Sequence, residues 1–244
     1  MVLENLSHIQ VQPNSVAIIG WEEGGAGFIH SWLEKETNHH IACFVNTNSR
    51  PIDLKIEEEI KKRDVSQFSF PTKDSFKDRP LINSSDWIEV LKQIGISKIL
   101  CISGNPHEDG HNIEMARKAG LELISAIHPS ALILEDAILA DNVVVYPRAV
   151  IGYRAELDSG VIVNTGAQID HHNKLKYCCR VDPGVVMAGN VTIGEFSKIH
   201  TGSVFKNKIR VGKNCIVGAG TVVIKDIKDN STVVGVPARK LSKP

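Results

Sequence analysis

Residues 157–193 read LDSGVIVNTGAQIDHHNKLKYCCRVDPGVVMAGNVTI, and within them Leu157, Val163, Ile169, Leu175, Val181, Met187 and Ile193 fall six apart. The step continues unbroken in both directions, from Ile133, Leu139, Val145 and Ile151 on one side to Ile199, Phe205, Val211, Val217 and Val223 on the other, sixteen apolar positions in all. Four residues after most of these a second, mostly small residue recurs (Ala137, Val143, Ala149, Ala155, Val161, Ala167, Cys179, Ser197, Ser203, Cys215, Thr221), while Gly, Asp, Asn and charged residues fill the gaps. Strands of a sandwich would alternate with period two and end at irregular turns. A chain that turns a corner every six residues instead points one side chain per flat side into a narrow interior, where a medium aliphatic group fits. Three sides close a coil, so residues eighteen apart stack at an inter-strand spacing of roughly 4.8 Å. The pattern predicts a hexapeptide solenoid of about five coils.

The solenoid takes the second half of a 244-residue chain, which leaves room for a further domain before it. Basic and acidic residues balance at 28 each, with no basic run. That argues against nucleic acid or an anionic membrane surface as partner and for a small molecule. No stretch approaches eighteen apolar residues, and Met1–Pro13 has no apolar core flanked by positive charge, so a cytoplasmic protein is expected. The five cysteines, Cys43, Cys101, Cys178, Cys179 and Cys215, show no CxxC spacing and are read as reduced and structural.

In the first half, the apolar run Ser15–Gly20 leads into a Gly-rich segment (Gly20, Gly24, Gly25, Gly27) and then the helical pattern Phe28, Ile29, Trp32, Leu33. Further strands are expected at Ile41–Val45, Ile99–Ser103 and Glu122–Ser125, with helices at Ile56–Lys62, Trp87–Ile94 and about Asn112–Ala119. Such alternation predicts a small parallel α/β domain, residues 1–126, ahead of a solenoid domain, residues 127–244. Its site is expected at the carboxyl ends of the strands, where the loops after Gly20, Val45 and Ser103 converge. Trp21, Glu22 and Glu23 interrupt a GxGxxG fingerprint, so the Gly segment is either a phosphate-holding helix start or a tight turn. The segment 104–111 carries His107, Glu108, Asp109 and His111, but Pro106 and Gly110 are read as disfavouring a helix that would align the histidines. No metal is expected there. Residues 63–86 read as an irregular polar insertion.

On the solenoid, Asp170, His171 and His172 share one outward corner, and Gly189 lies eighteen residues, or one coil, beyond His171. A histidine beside a carboxylate can act as general base, and a bare glycine N–H can receive a developing oxyanion. On spacing alone these are equally well solvated corner residues.

The chain resembles the sugar acetyltransferases that join an N-terminal nucleotide-sugar-binding domain to a C-terminal left-handed β-helix, the group of bacillosamine-pathway N-acetyltransferases and sialic acid O-acetyltransferases. The motifs that carry the resemblance are His128-Pro129-Ser130-Ala131, Gly160-Val161-Ile162-Val163-Asn164-Thr165, Ile169-Asp170-His171, Ala188-Gly189-Asn190-Val191 and Gly235-Val236-Pro237-Ala238-Arg239. It implies a Rossmann-like α/β domain followed by a left-handed parallel β-helix, assembled as a homotrimer with acetyl-CoA in the groove between neighbouring helices. His171 then falls on the family's catalytic base, with Asp170 and His172 beside it, and Gly189 on the thioester-facing glycine. Arg180, Thr201 and Ala219 would line the cofactor groove, and Arg239 or Lys240 would reach a CoA phosphate. A sugar, in all expectation nucleotide-linked, would meet Gly20, Gly25, Ala26, Gly27, Asn46, Gly104 and Asn164.

The chain also departs from the family. His172 stands where a carboxylate commonly follows the base, Arg180 replaces a second histidine that meets the cofactor, Ala26 replaces a histidine of the Gly loop, and Asn46 replaces an acid. The implied reaction is acetyl-CoA-dependent acetylation of an amino sugar for a surface glycan. O-acetylation of sialic acid or a related sugar, and a catalytically inactive nucleotide-sugar-binding trimer, are the alternatives. A zinc site built from His171, His172 and His200 in the manner of β-helical carbonic anhydrases fits poorly, because adjacent residues at a corner diverge.

Overall fold

The computed structural model describes residues 9, 11–47 and 71–241. The chain divides into two compact units, Met1–Glu108 with Asn112–Leu123, and Asp109–His111 with Ile124–Pro244. The helix expected at Ile56–Lys62 and the first part of the expected insertion, residues 63–70, lie outside the described residues.

The first unit is built on strands β1 (Ser15–Ile19), β2 (His40–Asn46), β3 (Ser75–Phe76), β4 (Arg79–Asn83), β5 (Lys98–Cys101) and β6 (Glu122–Leu123). They form one sheet in the order β3-β4-β2-β1-β5-β6. All neighbours are parallel except the β3–β4 pair. β1 is buried along its whole length, which is why its sequence is apolar without alternation. Its helices are α1 (Glu23–Glu36), α2 (Trp87–Ile94) and α3 (Pro106–Lys118). Glu34 on α1 ties the helix to the sheet: its carboxylate accepts from the Ile41 amide at 2.8 Å and pairs with His40 at 2.9 Å and Arg79 at 3.2 Å.

Three readings of this half need correction. Gly24, Gly25 and Gly27 are not a loop but the first two turns of α1, whose first backbone bond runs from Ala26 N–H to Glu22 O. Glycine costs such a helix about 1 kcal/mol per residue relative to alanine, and the burial of Ile29, Trp32 and Leu33 beneath α1 offsets it. The segment around Pro106 is helical from Pro106 onward: Asn105 caps the helix by accepting the His107 N–H at 3.0 Å, and proline sits at the first turn, where its missing N–H costs nothing. Residues 79–83 are not irregular either, but a strand whose Leu81 and Ile82 pair with Phe44 and Val45.

The second unit is a left-handed parallel β-helix of two-residue strands, with one of three residues at its end, in three sheets. The first face stacks Ala126–Ile127, Val144–Val145, Ile162–Val163, Arg180–Val181, Lys198–Ile199 and Ile216–Val217, closed by Thr232–Val234 and the antiparallel Arg239–Lys240. Ala126–Ile127, across which the sequence division falls, is thus the first rung. The second face stacks Leu132–Ile133, Val150–Ile151, Gln168–Ile169, Val186–Met187, Val204–Phe205 and Val222–Val223. The third stacks Ile138–Leu139, Glu156–Leu157, Lys174–Leu175, Thr192–Ile193 and Arg210–Val211. Each rung pairs residue i with i+18, as Val144 with Ile162 and Arg180 with Lys198.

The second residue of every strand up to Val223 is the apolar residue of the six-residue step, and from Val145 onward each is buried. Asn173, where the small inward series skips a beat, is also fully buried; its Oδ1 accepts the Val191 N–H at 2.6 Å, so the polar group is used to join two coils. Every corner from Asp136 to Gly220 contains a left-handed residue six positions from the last, with φ of +51° at Cys178 and +73° at Gly160. Glycine or asparagine takes many of these corners, and Arg154, His172 and Phe196 take others.

All five cysteines are buried and none is in a disulfide among the described residues, with desolvation pushing the Cys43 thiol up to about 12 and that of Cys179 upward as well. Among the described residues no helix is long and apolar enough to cross a membrane. Phe205 is the largest side chain in the six-residue series and 2% exposed. Phe205→Ala should cost about 3–5 kcal/mol, read as a lowered midpoint in chemical denaturation.

Candidate active site

Asp170, His171 and His172 follow the Gln168–Ile169 strand of the second face, and all three side chains are exposed at the corner. His171 lies one rung from Gly189, and its ring occupies the space a side chain would need there. A Cβ built on Gly189 would fall 2.3 Å from both His171 Nε2 and Cε1. No other residue type admits the imidazole in this position. Among the described residues the Gly189 N–H has no backbone acceptor, whereas its carbonyl takes the Lys208 N–H at 3.0 Å. An N–H left open beside an imidazole is a donor available to a ligand oxygen.

The structure separates the roles of the two neighbours of His171. The Asp170 carboxylate accepts the His171 backbone N–H at 2.7 Å and thereby fixes the corner rather than the ring. The ring itself meets His172, with Nδ1 3.0 Å from the His172 Nδ1 and the two planes at 85°. His172 in turn stands edge-on to Tyr153, one rung from His171, with ring centroids 5.7 Å apart. Tyr153 is a member of this corner that the sequence reading missed; its position eighteen residues before His171 was the available signal.

Of the residues expected at the cofactor, Thr201 and Ala219 are exposed and stack one rung apart, with the Gly220 N–H bonded to Thr201 O at 2.9 Å. Arg239 is exposed and lines, with Lys225, Lys228 and Lys240, a pocket of about 410 Å³ at the end of the β-helix. Arg180 is mostly buried, 15% exposed, and its guanidinium is ion-paired to Asp109. Lys198, one rung on, is held below the ordinary lysine range by burial and by the Arg180 charge. His200 pairs with Asp182 at 2.8 Å, away from His171 and His172 in the ladder. Among the described residues no group of three or more His, Cys, Asp and Glu is arranged to hold a metal.

A second constellation lies within the α/β unit at the carboxyl ends of β1, β2 and β5, where a parallel sheet with this strand order opens a crevice. Gly20, with φ +87°, lets the chain leaving β1 pass so close to Ser103 that an added Cβ would be 2.3 Å from the serine Cβ. Glu22 faces Gly104, with its carboxylate 3.2 Å from where a Cβ there would sit. Thr47 donates to Glu108 at 3.1 Å. Asn46 is 1% exposed and donates to Asn83 Oδ1 at 2.9 Å, so it braces β2 against β4. Ala26 is buried in α1, Gly25 and Gly27 are half-buried, and on the solenoid Asn164 is half-buried with its Oδ1 on the Thr165 N–H. Glu22, Thr47 and Glu108 join Gly20 and Gly104 at this edge although the sequence reading did not assign them to it.

An α/β unit with its loops gathered at the carboxyl ends of a parallel sheet and a β-helix with a histidine seated on a glycine define a two-unit hexapeptide protein. Residues 190–225 match the family Bacterial transferase hexapeptide (six repeats). The acetyltransferase domain of PglB from Neisseria gonorrhoeae FA1090 is 30% identical, with a TM-score of 0.74 over 93% of this chain and 100% of that one. PerB from Caulobacter crescentus, solved with CoA and GDP-perosamine, is 25% identical with a TM-score of 0.81 over 96% and 100%. The serine acetyltransferase of Bacillus pumilus is 34% identical over 112 residues, 40% of this chain. The chain spans about half the length of such curated relatives, 47% in that case. The chain belongs to the hexapeptide-repeat acetyltransferases that carry an N-terminal α/β domain.

Gly189→Ala adds only a methyl group on a backbone that alanine can adopt, so the coil should persist while the His171 ring is driven from its seat. A crystal structure of the variant should show the Nδ1–Nδ1 contact broken.

Proposed function

We propose that this chain transfers the acetyl group of acetyl-CoA to the amine of a nucleotide-linked sugar, with His171 as general base. The observation that carries the reading is the seat of the His171 ring on Gly189, which sets an imidazole beside an open backbone N–H. The amine nitrogen attacks the thioester carbon, the carbonyl electron pair moves onto oxygen beside the Gly189 N–H, and the amine proton passes to His171 Nε2. Collapse expels the CoA thiolate, which takes the proton from His171, leaving an amide and free CoA. An amine requires less help from a base than a hydroxyl does, which suits a corner whose one carboxylate is occupied by a backbone N–H.

Two comparisons favour a nucleotide sugar over serine as acceptor. PerB, in complex with CoA and GDP-perosamine, and the PglB domain, also solved with acetyl coenzyme A, align with 96% and 94% of this chain, whereas the serine acetyltransferase from Bacillus pumilus aligns with 40%. The crevice at Gly20, Glu22, Thr47 and Gly104 would hold the nucleotide portion; this is the part of the reading on which Asn46 and Ala26 bear least, since both are buried.

The second face supports assembly with copies of the chain. Its outward residues Leu132, Val150, Val186, Val204 and Val222 are apolar and in register, interrupted only by Gln168 beside the His171 corner. The third face instead presents Glu156 and Lys174 as an ion pair. An apolar ladder of this length on the outside of the β-helix marks an association face, and three copies joined by it would bring the His171 corner to an interface. In that assembly Thr201, Ala219 and Arg239 are the side chains offered to CoA.

Thiol release from acetyl-CoA across a panel of GDP-, UDP- and dTDP-linked amino sugars, free amino sugars and serine tests the reaction. One nucleotide-linked amine should support turnover, and His171→Ala should lower it by about 10²–10⁴-fold. Turnover with serine alone, or an undiminished variant, would refute the assignment. Val204→Glu should convert a trimer in sedimentation to monomers and abolish turnover with it.

A further inference from the structure

We infer that His172 is a positioning residue that fixes the tautomer of His171, so that the base is held by a second neutral imidazole; the kinetic consequence rests on the acetyl-transfer reading, the tautomer does not. The two Nδ1 atoms are 3.0 Å apart, and of two imidazole nitrogens at that distance one carries the hydrogen and the other the lone pair. If His171 Nδ1 were the acceptor, its proton would sit on Nε2 and leave no lone pair toward Gly189. With Nδ1–H of His171 as donor, Nε2 over Gly189 is bare and basic. Taking up the substrate proton then makes His171 an imidazolium whose Nδ1–H points at the His172 lone pair. The contact strengthens as charge develops, which is the condition for it to speed the reaction rather than merely hold the ring.

The groups around His172 leave it this task. Asp170 is committed to the His171 backbone N–H at 2.7 Å. Tyr153 meets His172 ring edge to ring at 80°, and the Arg154 guanidinium lies over the tyrosine ring at 4.8 Å from its centroid. Among the described residues, His171 and Tyr153 are the titratable groups whose rings meet His172, with Asp170 adjacent in the chain and Arg154 on the Tyr153 ring. None of the other three is placed to hydrogen-bond the His171 ring in its stead. The corner is left-handed, with φ +58° at His172, and the ring there meets both His171 beside it and Tyr153 one rung away. A hydrogen on both Nδ1 atoms would set two donors face to face, so the contact holds only while His172 Nδ1 presents its lone pair.

The consequences can be read without knowing the acceptor. In protein labelled with ¹⁵N-histidine, long-range proton–nitrogen correlation should show His171 protonated on Nδ1 and bare on Nε2, with His172 the reverse. His172→Phe keeps a ring against Tyr153 and is tolerated at this corner type, since Phe196 occupies the equivalent slot with φ +58°. It removes the acceptor, so the His171 proton should move to Nε2. His172→Asn retains an acceptor and suits a left-handed corner, and should keep the original tautomer.

With the acceptor identified by thiol release, His172→Phe should lower kcat about tenfold, the size of one charge-assisted hydrogen bond, with KM for acetyl-CoA unchanged. His172→Glu should restore kcat and move the acid limb of the profile to higher pH, because a carboxylate stabilises the imidazolium more than an imidazole does. A wild-type His171 protonated on Nε2, or a tautomer indifferent to His172→Phe, would overturn the inference while leaving the base assignment standing. Loss of the base assignment would appear separately, as full turnover in His171→Ala.

Discussion

The structure of the second unit depends on one constraint: each coil consumes eighteen residues and each corner admits one residue with positive φ. Because the step never slips between Ile133 and Val223, chemistry at one position is set by the residue eighteen away. His171 meets Gly189, Asn173 serves the Val191 amide, Lys174 pairs with Glu156, and His200 pairs with Asp182, each across one rung. A single inserted or deleted residue in a coil would remove His171 from its glycine while leaving hydrophobic content unchanged. The site is thus a property of register. It is also rigid, since the backbone on both sides of it is tied at every rung and the interior is filled by buried aliphatic side chains.

How far the sequence reveals this differs between the two halves. The β-helix is readable because its interior tolerates only one kind of side chain at one interval, so Val145, Ile151 and Leu157 announce it without any knowledge of neighbours. The α/β unit has no such redundancy. Pro106 is a helix breaker in isolation and a helix starter after Asn105, and only the cap distinguishes the two. Pro80 obscures a strand that tertiary pairing with Phe44 and Val45 enforces. The glycines before Phe28 suggest a loop, yet burial of Ile29 and Leu33 draws them into a helix.

The same division applies to the candidate site. Spacing alone brings Asp170, His171, His172 and Gly189 together. What it conceals is direction: the carboxylate that seems the natural partner for the imidazole turns to the backbone, and the second histidine takes the ring. Arg180 shows the limit of local reading, since its partner Asp109 lies 71 residues earlier in the chain. In a ladder where neighbours along the chain alternate in direction, the rung and the corner angle decide which adjacent residue reaches a given ring.

The measurement that bears most directly on the account is a crystal structure with acetyl-CoA bound. The account predicts the thioester oxygen within hydrogen-bonding distance of the Gly189 N–H, with His171 Nε2 facing the acetyl carbon from the side an acceptor would approach and a second copy of the chain completing the groove. Acetyl-CoA bound with its thioester remote from Gly189 and His171 would contradict it.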